Sequence, residues 1–195
     1  LPHAVLAATI IVAVVSLIDV ETLREAWHYD KADAMALLAT AGGVVAFGVE
    51  VGILMGVALS LGTLVWRSSH PHIAVVGRVP GTEHFRNVTR HTVTTEPGLI
   101  AVRVDESLYF ANSDALLDRV EELVAAQPDT RHVLLVCSAI NQIDTTALGV
   151  LTDLERSLTQ RGTALLLSEV KGPVLDRLQG TELGRRLEGR IFLST

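Results

Sequence analysis

The spacing of apolar residues changes character partway along the chain. From Leu1 to Ile18 there is no Asp, Glu, Lys or Arg, and 18 helical residues reach about 27 Å, close to the roughly 30 Å hydrocarbon core of a bilayer. Pro2 suits a first helical turn. The β-branched run Thr9-Ile10-Ile11-Val12 is acceptable in lipid, where backbone groups must bond internally and helix is the available form. Ala34 to Trp66 is then interrupted by one charge, Glu50. As a single helix that stretch would reach about 50 Å, too long for a bilayer without extreme tilt. The pattern therefore predicts three spans, at about 1–18, 34–49 and 51–66, the last two folded as a hairpin near Gly48-Val49-Glu50. Each half of the hairpin reaches only about 24 Å, so these spans need protein neighbours rather than lipid all round.

Beyond residue 72 strand and helix patterns alternate. Ile73–Val79 and Leu99–Val104 read as strands, with Ser107–Ala111 a short third one. Asn112-Ser113 can cap a helix with apolar positions Leu116, Leu117, Val120, Leu123 and Val124, ended by Pro128-Asp129. Val133 to Cys137 is a continuous apolar run, the mark of a strand buried on both faces. A helix from about Thr145 to Gln160 carries Ala147, Leu151, Leu154 and Leu158 along one face and closes at Gly162. Ala164–Leu167 is another buried strand, Pro173 opens a helical region through Leu187, and Ile191-Phe192-Leu193 is a final strand. The order β-β-β-α-β-α-β-α-β predicts a mixed β-sheet with helices mainly on one side. The fold class is thus α-helical transmembrane segments followed by an α/β domain.

Composition sharpens the division. The average of 49% hydrophobic and net charge −6 excludes a disordered or collagen-like chain and argues against a nucleic-acid partner. That average is a mixture, because 43 of residues 1–66 are hydrophobic against 52 of the remaining 129. Seven of the eight charges in the first part crowd between Asp19 and Asp33. We place the membrane part at 1–66, a linker at 67–72 and a second domain at 73–195. The start Leu-Pro-His lacks a methionine and a basic flank, which reads as a fragment rather than a signal peptide. Basic residues near the spans (Arg67, Arg78 and Arg86 after Trp66, Arg24 and Lys31 in the 19–33 loop) put that loop and the second domain in the cytoplasm of a multi-pass cell-membrane protein. The sequon Asn87-Val88-Thr89 would then go unused.

Candidate chemistry is sparse. Gly48, Gly52, Gly56 and Ser60 recur every fourth residue and place small side chains on one helix face, which lets another helix approach closely. Glu50 is either an intramembrane functional carboxylate or a hairpin-tip residue reaching water. Cys137, the single cysteine, lies within the buried run and reads as core. His70, His72, His84 and His91 show no metal-ligand spacing, so no metal is expected. No phosphate-cradling glycine motif occurs, no cofactor is implied, and no nucleophile, base or metal set supports an enzyme. Arg185, Arg186 and Arg190 read as a solvated face or a contact with the membrane part. Asp144-Thr145-Thr146, between a buried strand and the next helix, is an N-cap by Asp144 or Thr145.

Several stretches, in order, resemble the C-terminal end of the SulP (sulfate permease) family of anion transporters. They are Pro2-His3-Ala4-Val5-Leu6-Ala7-Ala8, the run Val49 to Ser60, the linker Arg67-Ser68-Ser69-His70-Pro71-His72, Gly77-Arg78-Val79-Pro80-Gly81-Thr82 with Phe85-Arg86-Asn87, and Leu108-Tyr109-Phe110-Ala111-Asn112. The resemblance implies a membrane part of fourteen segments built from inverted repeats, of which this chain holds the last three, and a cytoplasmic STAS domain, the fold shared with bacterial anti-sigma factor antagonists. It implies an inorganic anion such as sulfate or bicarbonate as substrate, bound between broken helices upstream, a lipid bilayer around the first part, and a homodimer. In the antagonists the stretch matching Asp144-Thr145-Thr146-Ala147-Leu148 is Asp-Ser-Ser-Gly-Leu, whose second serine is phosphorylated. Thr146 matches that serine. A phosphate there would gain from the helix N-terminus and be repelled by Asp144. The alternative to a transporter is therefore a membrane-tethered signalling module switched at Thr146.

Overall fold

The computed structural model describes residues 3–15 and 19–195. Leu1, Pro2 and residues 16–18, which the first expected span includes, lie outside the described residues. The chain divides into two compact units, Leu1–Val65 and Trp66–Thr195.

In the first unit, α1 (His3–Val15) is followed by α2 (Val20–Tyr29), α3 (Lys31–Phe47) and α4 (Val49–Ser69). Asp19 starts α2 by accepting from the Thr22 amide at 3.0 Å. Asp30 alone separates α2 from α3. Its extended backbone ends one helix, with its N–H donated to the Ala26 carbonyl, while its carboxylate accepts from Ala32 N–H at 2.8 Å and starts the next. α3 therefore begins three residues before the apolar run. It stops at Gly48, whose φ of +91° lies in the left-handed region that glycine enters without a Cβ penalty. That single residue is the whole connection, so the expected division at 49 and 51 is corrected. Glu50 sits in the first turn of α4 rather than at a tip, where the helix dipole favours a carboxylate. α4 also runs through Arg67-Ser68-Ser69, half of the expected linker, until Pro71 forbids continuation. Its 21 residues reach about 32 Å, so this helix is not short. Among the described residues it is the one helix long and apolar enough to cross a membrane.

The second unit is built on β1 (Ile73–Arg78), β2 (Phe85–Asn87), β3 (Leu99–Val104), β4 (His132–Val136), β5 (Ala164–Ser168) and β6 (Ile191–Phe192), with α5 (Ser113–Ala126), α6 (Thr145–Gln160), α7 (Gly172–Gln179) and α8 (Glu182–Arg186). The sheet runs β2-β1-β3-β4-β5-β6. β1 is antiparallel to both its neighbours, and β3 through β6 are parallel. Side-chain alternation sorts the strands onto two faces. Ile100, Val102, Val104, Val133, Leu135, Cys137, Leu165 and Leu167 join Leu116, Val120, Leu151, Leu154, Leu158, Val174, Leu178 and Leu183 from the helices in the main core. Ala74, Val76, Ala101, Leu134 and Val136 form a smaller cluster on the opposite face. The sheet is mixed, and the main core lies on its helical side.

Three local expectations change. Ser107–Ala111 is not a strand: Leu108 makes one parallel bridge to Ile143 and the chain turns. A short β2 appears at the edge instead, in a stretch without apolar alternation. The helical region after Pro173 is two helices, broken at Gly180-Thr181, where the Thr181 hydroxyl accepts from Gly184 N–H.

The entry to β1 is pinned through Asp105. Its N–H donates to the His72 carbonyl at 3.1 Å, His72 Nδ1 lies 2.8 Å from one carboxylate oxygen, and Arg103 donates from Nε at 2.6 Å to the other. Partial burial pushes this carboxyl up, but hydrogen bonds from Arg103 and His72 outweigh it and hold it below its ordinary 3.8. A depressed folded-state value stabilises the native state above the unfolded value, and the contribution disappears as pH falls through the folded one. Asp105→Asn should therefore unfold in less urea than the native chain at pH 6, by about 1 kcal/mol or less for so exposed a cluster. That gap should close below pH about 3.8, as read from urea midpoints across the pH series.

Candidate functional site

The crossover from β4 to α6 carries the Asp144-Thr145-Thr146 stretch, and the structure shows what holds it. After Cys137 the chain turns, with Ile140 N–H donated to the Cys137 carbonyl at 3.0 Å, and runs beside residues 107–110. Leu108 N–H donates to the Gln142 carbonyl at 3.0 Å, and Asp144 N–H returns a bond to the Leu108 carbonyl at 3.1 Å. The Asp144 side chain then ties both segments to the helix. One oxygen accepts from Ala147 N–H at 2.8 Å, capping α6, and the other accepts from Phe110 N–H at 2.9 Å. The cap belongs to Asp144, and Thr145 and Thr146 are exposed.

The turn behind Phe110 is organised by Asn112, which is fully buried. The sequence marks Asn112 as a cap for α5, but its side chain makes no capping bond. It points back instead: Oδ1 accepts from Tyr109 N–H at 3.0 Å, and Nδ2 donates to the carbonyls of Ser107 at 2.9 Å and Ser68 at 3.3 Å. Phe110 remains 65% exposed beside the Asp144 cap, edge-on to Tyr109. Lys171 Nζ reaches the Asn141 side chain on the same rim. A small cleft lined by Ile143, Leu148, Val174, Arg177 and Leu178 holds about 30 Å³. This rim presents the Thr146 hydroxyl and the Phe110 ring at the surface.

The other candidate residues lie in the first unit. Gly48 is the connection between α3 and α4 and has open space where a Cβ would point. At Gly52 a Cβ would collide with Val44, backbone and side chain, and at Gly56 it would come within 2.6 Å of the Thr40 hydroxyl. Gly43, which the every-fourth-residue pattern does not include, abuts Gly52 Cα and the Met55 sulfur from the α3 side. Ser60 lines an open groove with Ala36, Leu37, Thr40 and Leu61. The two helices thus meet backbone to backbone at Gly43 and Gly52.

Cys137 is buried in the main core, where burial pushes its thiol up to about 12, so it is a packing residue rather than a nucleophile. Among the described residues no group of three His, Cys, Asp or Glu could hold a metal. His70 bonds the Trp66 carbonyl and Ser69, His72 serves Asp105, and His84 and His91 are exposed. The arginine reading is corrected in two of its three residues. Arg186 and Arg190 reach a buried carboxylate, Glu155, at 3.2 and 3.5 Å, and only Arg185 is simply exposed. Leaving Glu155 buried without them would be costly.

Residues 90–195 match the family described as STAS domain. The chain is 31% identical to High affinity sulfate transporter 2 of Stylosanthes hamata over 99% of its length, and 34% identical to Sulfate transporter 1.3 of Arabidopsis thaliana over the same share. It covers 31% of each, so the chain spans about a third of the length of the curated relatives it matches. The murine Slc26a9 anion transporter in its inward-facing state superposes with a TM-score of 0.81 over 92% of this chain and 29% of that one, at 18% identity.

Two substitution pairs test the geometry in the full chain. Asp144→Ala should cost about 1–2 kcal/mol in urea unfolding through the lost cap, while Thr146→Ala stays within about 0.5 kcal/mol. Gly52→Ala should lower the thermal midpoint in detergent, with a cost of about 1–3 kcal/mol from overpacking against Val44. Gly62→Ala, with nothing within 4 Å of the added methyl, should leave the midpoint unchanged or raise it.

Proposed function

The chain belongs to the STAS domain family, and with its likeness to sulfate transporters running over 99% of its residues we propose that it is the C-terminal part of a SulP-type secondary transporter of inorganic anions, sulfate being the first candidate. The observation that carries this reading is that one alignment takes in the apolar helices and the STAS domain together. A lone STAS signalling protein would share only the second unit. In this reading α1, α3 and α4 are the closing segments of the membrane bundle. The STAS domain stands in the cytoplasm of a multi-pass cell-membrane protein, where it supports assembly into a homodimer and regulates transport.

The internal organisation supports that assignment. α3 and α4 present exposed apolar side chains along their length, including Leu37, Val45, Ile53, Leu54, Leu61 and Val65, as helices do when lipid or further helices surround them. Their close contact at Gly43 and Gly52 gives the hairpin van der Waals packing that does not depend on water. Anion selection belongs to upstream segments, where helix N-termini can face negative charge. The reading in which Thr146 is a phosphorylated switch on a tethered signalling module is the weaker one, because Thr146 and Ala147 stand where the antagonists' motif has serine and glycine, and because the likeness to transporters takes in the apolar helices as well.

The test is uptake of labelled sulfate into vesicles by the full-length protein, with and without residues 73–195. Saturable uptake that falls or loses its dimeric state on truncation supports the proposal. Vesicles that take up no sulfate, bicarbonate or chloride with the intact protein would reject transport, and truncation without effect on uptake or dimerisation would reject the role given to the STAS domain.

A further inference from the structure

We infer that α2 is an in-plane helix, lying in the interfacial layer of a zwitterionic lipid leaflet with Val20, Leu23 and Trp27 set toward the acyl chains. The inference rests on the membrane reading of the first unit and says what the segment between two spans does there.

The helix has ten residues, Val20–Tyr29, about 15 Å, half of what a crossing needs. At 100° per residue Val20, Leu23 and Trp27 fall within a sector about 60° wide, and Arg24, His28, Glu21 and Glu25 fall in a sector about 100° wide that begins about 40° beyond Val20 and is centred about 120° from the apolar one. Leu23 and Ala26 are half-buried, but Val20 and Trp27 are 65% and 46% exposed, so an apolar stripe stays open along the helix. The extended backbone of Asp30 interrupts the path between α2 and α3, so α2 does not simply prolong the apolar helix that follows. Trp27 and Tyr29 are the two aromatic residues with an apolar body and a polar tip, the types that settle at headgroup depth. Tyr29 is 94% exposed beside the polar sector.

Charge selects the lipid. Around α2 stand Asp19, Glu21, Glu25, Asp30 and Asp33 against Arg24 and Lys31. Interfacial helices that seek anionic lipid carry the opposite balance. An excess of carboxylates meets the outward ammonium groups of phosphatidylcholine or phosphatidylethanolamine and is repelled by phosphatidylserine.

Trp27 and Trp66 are the only tryptophans among these 195 residues, so Trp66→Phe leaves Trp27 as the single reporter when this 195-residue chain is reconstituted in phosphatidylcholine vesicles. Lipids brominated near the headgroup should quench Trp27 about twofold more than lipids brominated at mid-chain. Stronger quenching from mid-chain, or none from either, overturns the inference. Trp27→Phe reads Trp66 in parallel: if Trp66 is quenched and Trp27 is not, only this inference fails, and if neither is quenched the membrane reading fails with it. Replacing a third of the lipid by phosphatidylserine should leave Trp27 quenching equal or lower, and a rise would overturn the lipid preference. Should Trp66→Phe fail to reconstitute, a nitroxide on Val20→Cys answers the same question, since Cys137 is buried. Oxygen should reach it in preference to a water-soluble nickel chelate, and the reverse would reject the placement.

Discussion

Three parallel strands shut away from water on both faces impose the rest of the second unit. β3, β4 and β5 put Val102, Leu135 and Leu167 on one side and Ala101, Leu134 and Leu166 on the other. Parallel neighbours cannot be joined by a tight turn, so each step needs a crossover, and α5 and α6 are those crossovers. Every crossover leaves the sheet at the carboxyl end of a strand. The Leu108 turn, the Asp144 cap and the Lys171 rim therefore collect at one end of the sheet as a consequence of topology. The opposite face carries a smaller cluster, Ala74, Val76, Ala101, Leu134 and Val136, with Phe85, Leu99 and Leu166 half-buried against it.

Polar groups then fix what the apolar layers leave free. Asp144 joins two segments 34 residues apart by accepting from Phe110 as well as from its own helix. Glu155 does the same at the far end of α6. It enters the core side as a carboxylate and is met by Arg186, the last residue of α8, and by Arg190 just beyond that helix. Removing either arginine leaves a buried charge partly unpaired, a larger penalty than the pair itself contributes in stability.

The elements visible in the amino-acid order are those whose cause is local. Val133 to Cys137 reads as a buried strand because nothing polar interrupts it, and α6 reads from Ala147, Leu151, Leu154 and Leu158 because burial imposes their period. Asp144 reads as a cap for the same reason, since its first partner is three residues away. Its second partner, Phe110, is not legible, and neither is the choice of Glu155 for Arg186 and Arg190, because those contacts exist only after the chain has folded back. β2 has no apolar signature, as pairing at an edge asks little of its side chains. Asn112 misleads for a related reason: a residue type that caps helices also closes turns, and burial beside Ser107 selected the turn. In the first unit, hydropathy marks where apolar helix is present but not where it ends. The ends come from Asp30 and Gly48, single residues acting through backbone conformation.

Gly48 makes the link between α3 and α4 one residue long. Loops elsewhere in proteins absorb extra sequence readily; this one has no slack. An epitope or protease site inserted at 48 would have to unwind a turn of one helix and turn the Gly52 face away from Val44. Sidedness at this end of the hairpin is therefore better read with a small chemical label on Val49 or Glu50, both exposed, than with any grafted tag.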